Sequence, residues 1–101
     1  MLGNGPVTTP ADLRQEGLSI LVVDDARSGR IHFLRALEQG GYTDVRTTES
    51  ANRALQLLAE RPADVVIADW LTPGMNGVRF TQRVRERDEE SGRYTAVILA
   101  T

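Results

Sequence analysis

The chain has 101 residues, enough for one small hydrophobic core, and its formal net charge of −2 provides no basic footprint for nucleic acid. No run approaches the ~20 apolar residues of a membrane span, and Met1-Leu2-Gly3-Asn4 lacks the charged start and apolar middle of a secretory signal, so a cytoplasmic location is expected. Zero cysteines exclude disulfides and thiolate metal ligands.

Residues 1–17 hold Gly3, Gly5, Pro6, Thr8, Thr9 and Pro10 with no hydrophobic period and read as a turn-rich leader, leaving 18–101 as the domain. The run Ile20-Leu21-Val22-Val23 predicts a first strand over 19–24. A first helix is expected over roughly 27–39, with Ile31, Leu34 and Leu37 toward the core and Gly40-Gly41 stopping it. A short strand at 44–48 leads to Ser50, an N-cap residue, and then to Ala51, Ala54, Leu55 and Leu58. Those four fall at i, i+3, i+4 and i+7, the apolar face of a second helix that Pro62 ends.

The third strand is expected at 64–69. A third helix begins near Asn76-Gly77, turns Phe80 and Val84 inward, and frays over 85–90 before Gly92. The fourth strand covers 95–100. Strands alternating with helices imply right-handed crossovers and a parallel sheet. Outside this framework, Arg83, Arg85 and Arg87 alternate with acids as a solvated helix face, and Arg27 and Arg30 read as a solvated helix start. His32, the lone histidine, reads as a surface or packing residue beside Phe33.

The first and third strands both end in acid: Val23 is followed by Asp24-Asp25, and Ala68 by Asp69. In open α/β sheets the chemistry sits in the crevice beyond the carboxyl ends of the strands. Three carboxylates would therefore converge there. Like charges held that close repel unless a cation neutralises them, and an all-oxygen set suits a hard divalent ion such as Mg²⁺. The strand-end positions thus point to a metal site at Asp24, Asp25 and Asp69.

The loop Asp69-Trp70-Leu71-Thr72-Pro73-Gly74-Met75-Asn76-Gly77 resembles the phosphoacceptor loop of bacterial response-regulator receiver domains. The resemblance extends in order over 18–101: the acidic pair Asp24-Asp25, the strand-end Asp69, Pro73 with Asn76-Gly77, and Thr101 closing the fourth strand. It implies a doubly wound, flavodoxin-like receiver fold with strand order 2-1-3-4. It also implies that Asp69 is the phosphoacceptor, fed by a histidine kinase or phosphotransfer protein. Asp25 would ligate Mg²⁺ directly, Asp24 mainly through water, and Leu71 through its backbone carbonyl. The Trp70 and Leu71 amides and the Thr101 hydroxyl would donate to the phosphoryl oxygens, Thr101 acting as the switch.

Some positions depart from the family. All 12 basic residues are Arg, whereas the family carries a Lys at the end of its fifth strand. The chain stops at Thr101, so the fifth strand and last helices are expected to be absent, exposing the fourth-strand edge and favouring a homodimer. The alternative function is an unphosphorylated docking module that keeps the fold with an inert pocket. A carboxylate-nucleophile phosphatase would show Asp-x-Asp at the first strand, where Asp24-Asp25 is followed by Ala26. A dinucleotide site would need a three-glycine loop, and Asp25-Ala26-Arg27-Ser28-Gly29 has one glycine. The receiver-domain resemblance implies a signalling domain whose own chemistry is its phosphorylation and slow dephosphorylation.

Overall fold

Among the described residues, four parallel strands form one sheet in the order β2-β1-β3-β4, and the strands alternate with three helices. The computed structural model describes residues 17–69 and 76–100. All but the last residue of the expected leader, the segment 70–75 and Thr101 lie outside the described residues. The elements are β1 (Ser19–Val23), α1 (Arg27–Gln39), β2 (Asp44–Thr48), α2 (Ala51–Glu60), β3 (Val65–Asp69), α3 (Gly77–Ser91) and β4 (Ala96–Ala100). The doubly wound parallel fold and its strand order are as expected from the sequence.

β1 lies inside the sheet, between β2 and β3, which is why four consecutive residues, Ile20 to Val23, are buried. Its alternation feeds two faces. Leu21 and Val23 join Val66 and Ala68 of β3 in a core closed by Ala54, Leu55 and Leu58 of α2 and by Phe80 and Val84 of α3. Val97 and Leu99 of β4 pack against the same cluster, while Ile98, one residue out of phase, is half exposed.

α2 follows its sequence pattern closely: Ala51, Ala54, Leu55 and Leu58 are its buried residues, and Ser50 Oγ accepts the Arg53 N–H at 3.1 Å as the N-cap. α3 is capped likewise by Asn76 Oδ1, which accepts the Arg79 N–H at 2.8 Å. α1 differs. Its Ile31, Leu34 and Leu37 are only half buried, and no α1 residue is fully buried. Gly40 stays right-handed, and it is Gly41, at φ 95°, that takes the conformation ending the turn.

Two expectations on α3 need correction. The helix does not fray over 85–90 but runs regularly to Ser91, where Gly92 adopts the left-handed conformation (φ 72°) and donates its N–H to the Asp88 carbonyl at 2.8 Å. Nor is Arg85 merely solvated: its Nη1 reaches Asp88 Oδ2 at 2.7 Å and the Thr95 carbonyl at 2.6 Å. Asp88 in turn accepts the Thr95 N–H at 2.9 Å and hydroxyl at 2.8 Å. With its N–H taken by a side chain, Thr95 stands outside the ladder, and β4 starts one residue later than the sequence pattern suggests.

At the amino end of the sheet, Asp64 does similar work. Its carboxylate accepts the Ser19 N–H at 2.8 Å, its own N–H meets the Ser19 carbonyl at 2.8 Å, and its carbonyl accepts the Ala96 N–H at 2.9 Å. One residue therefore aligns the entries of β1, β3 and β4. That alignment sets the register with which the opposite ends of these strands emerge.

Candidate functional site

The register of the sheet brings the acids together. Val23 of β1 is paired with Ala68 of β3, so Asp24 and Asp69, the next residues on adjacent parallel strands, emerge at the same level. Carboxylate oxygens of Asp24, Asp25 and Asp69 all lie within 4.8 Å of one another. Two oxygens on opposite sides of a Mg²⁺ ion stand about 4 Å apart, twice the ~2.1 Å coordination distance. The three carboxylates are thus spaced for a shared ion with small inward movement or one intervening water. Their donor set is the all-oxygen kind that Mg²⁺ prefers.

The three acids occupy different environments: Asp24 is buried, Asp69 half-buried and Asp25 exposed. Asp24 is held from several sides. Its N–H continues the β1–β2 ladder by bonding the Thr48 carbonyl at 3.0 Å, although β1 itself ends at Val23. Its Oδ1 accepts the Ala26 N–H at 2.9 Å, just ahead of α1. Ala26 has no side chain with which to cap that helix, so the preceding carboxylate meets a free donor at a helix end that favours negative charge.

Arg30, read from sequence as part of a solvated helix start, has a more defined position. From the first turn of α1 its Nη1 donates to the Asp24 carbonyl at 2.9 Å and to the Asp25 carbonyl at 3.2 Å. The guanidinium ties the helix back to the turn that carries the acidic pair. A cation five residues beyond a strand-end acid pair, one helical turn into the next element, is the signal that could have marked it. His32 stands away from this chemistry, exposed on α1 with its ring edge-on to Phe33 at a centroid distance of 5.9 Å.

Of the residues singled out from sequence, Asp24, Asp25 and Asp69 are brought together. Leu71 and Thr101 lie outside the described residues, as do Trp70 and Pro73. Among the described residues no helix is long and apolar enough to cross a membrane.

Comparison with known proteins bears on this arrangement. The family described as response regulator receiver domain matches residues 20–101. The sensory/regulatory protein RpfC of Xanthomonas campestris pv. campestris is 34% identical over 85% of this chain, which spans 12% of that protein. A probable chemotaxis protein CheY of Rhizobium etli is 31% identical over 69% of the chain and 54% of its own length. The chain thus covers about half or less of the length of these curated relatives. Among solved structures, the receiver domain of the histidine kinase CKI1 from Arabidopsis thaliana, complexed with Mg²⁺, superposes with a TM-score of 0.79 at 27% identity, covering 89% of this chain and 71% of that one. The chemotaxis response regulator CheY4 of Vibrio cholerae gives 0.72 at 29% identity, covering 81% and 66%.

Proposed function

The chain belongs to the response regulator receiver domain family, and from that premise we propose that Asp69 is its phosphoacceptor, supplied by a histidine kinase or a phosphotransfer protein. The observation that carries this reading is the meeting of Asp24, Asp25 and Asp69 within 4.8 Å at the carboxyl ends of β1 and β3. An Asp69 carboxylate oxygen attacks the phosphorus of the donor phosphohistidine, the P–N bond breaks, and the imidazole leaves with the bonding pair and takes a proton from solvent. Water later attacks the acyl phosphate, restoring the carboxylate and releasing inorganic phosphate.

Such transfers pass through a loose transition state with charge spread over the equatorial oxygens, so the site must mainly position and neutralise. Mg²⁺, when bound, supplies that neutralisation. Asp25 and Asp69 would ligate it directly with the Leu71 carbonyl, and Asp24 mainly through water. Arg30 holds the backbone of the Asp24–Asp25 turn in place for this role. The Thr101 hydroxyl would donate to the phosphoryl group, whose added charge of ≈ −1.5 to −2 drives the switch.

The same reading places the protein in the cytoplasm as a signalling domain. Self-association belongs to it too, through the sheet face on which Ile98 of β4 is half exposed. The test is intact-mass analysis after incubation with acetyl phosphate, with and without Mg²⁺. One added phosphoryl group that requires Mg²⁺ supports the proposal. No addition to a folded sample would favour a docking module with an inert pocket.

A further inference from the structure

The buried carboxylate of Asp24 lies directly against the backbone of Gly29, in the first turn of α1. A Cβ placed on Gly29 would stand 2.7 Å from Asp24 Cγ and 3.1 Å from Oδ1, and it would overlap Oδ2 outright. Those separations fall well inside the ≈ 3.5–4.0 Å at which nonbonded carbons rest. Ala26, the extended residue just ahead of α1, contributes its N–H to Asp24 Oδ1 at 2.9 Å. The carboxylate is therefore seated between a hydrogen-bond donor at the helix start and a helical residue that must lack a side chain. Gly is otherwise a poor choice in a helix, since Ala at the same place is favoured by its smaller loss of backbone freedom. Its presence here has a local cause.

We infer that Gly29 is a positioning residue for the metal site: by having no side chain it lets the Asp24 carboxylate fold back onto the first turn of α1 while remaining within reach of Asp25 and Asp69. The inference rests on the proposed Mg²⁺ role of the three acids. Any side chain at position 29 pushes the carboxylate off the helix. Asp24 then loses the Ala26 N–H, or moves within the 4.8 Å cluster to a place that no longer matches the coordination geometry. Mg²⁺ tolerates such misplacement poorly because it demands near-ideal octahedral ligands. Groups that orient ligands, without touching the ion, typically change metal affinity by 10–100-fold when altered.

Calorimetric titration of Mg²⁺ into wild type, Gly29→Ala, Asp24→Ala and the Gly29→Ala/Asp24→Ala double variant tests this, alongside the metal-free melting temperature of each. The result expected is that Gly29→Ala weakens Mg²⁺ binding by about tenfold or more while the metal-free variant still melts cooperatively. In the Asp24→Ala background the same substitution should have no further effect on affinity, because its partner is gone. Equal Mg²⁺ affinity of Gly29→Ala and wild type would overturn the inference and leave the metal site standing. So would an affinity loss that persists without Asp24. Absence of Mg²⁺ binding by folded wild type would overturn the metal site and the inference together.

Discussion

Arg30 Nη1 donates to the backbone carbonyl of Asp24 across 2.9 Å, so that α1 grips the turn from which the acidic pair projects. The same nitrogen reaches the Asp25 carbonyl at 3.2 Å. Both carbonyls belong to residues whose side chains face the proposed ion, which makes Arg30 a support of the metal site. Arg30→Ala is expected to weaken Mg²⁺ binding roughly tenfold, and Arg30→Lys to recover part of it, because a single ammonium can also donate to both carbonyls, though from a shorter stem. Calorimetry on the two variants checks this. Wild-type affinity in Arg30→Ala would show the contact to be incidental.

Asp88 is expected to be the most sensitive polar residue for stability. It serves the Thr95 N–H, the Thr95 hydroxyl and Arg85 at once, and Thr95 is buried. Removing it strands two donors beside the core, where a lost bond to a charged acceptor costs about 1.5–3 kcal/mol. Asp88→Ala should therefore destabilise by about 3 kcal/mol, read as a lower urea midpoint at unchanged slope. Asp88→Asn, which keeps one acceptor oxygen, should lose less.

The pH dependence carries a signature from the other end of the sheet. Arg61 holds Asp44 in a two-pronged pair at 2.7 and 2.9 Å, and its hydrogen bonds draw the Asp44 carboxyl down to about 2 against the opposing effect of burial. An unfolded Asp titrates near ~3.9. The folded protein thus holds its charge to lower pH, so the pair's contribution is complete above ~4 and is lost as pH falls toward about 2. Both side chains are more than a third exposed, at 53% for Arg61 and 38% for Asp44, so the contribution is small and salt-sensitive. Melting temperatures of wild type and Asp44→Asn should differ at neutral pH and converge across that window. A gap that stays constant from neutral pH to below the window would contradict the assignment.

Much of this molecule is legible in its sequence because the informative residues act through period and position. Ala51, Ala54, Leu55 and Leu58 announce the buried face of α2 by spacing alone, and all four are buried. Asp24 and Asp69 can be brought together on paper because both follow strands of one parallel sheet, and the Val23–Ala68 register sets them level. What sequence patterns do not carry is who bonds to whom across elements. Thr95 looks like a strand residue until Asp88, seven positions earlier, claims its N–H. Arg85 looks like one of several solvated cations until the Thr95 carbonyl comes within 2.6 Å. Gly29 carries no pattern at all, because its significance lies in the carboxylate packed against it.

The most direct test of Asp69 as phosphoacceptor is to locate the phosphoryl group. Wild type and Asp69→Asn are incubated with acetyl phosphate and Mg²⁺, reduced with borohydride to mark the residue that carried an acyl phosphate, and mapped by peptide mass spectrometry. The mark is expected at Asp69 alone in wild type and nowhere in Asp69→Asn. A mark on another residue of wild type, or equal phosphorylation of Asp69→Asn, would contradict the assignment.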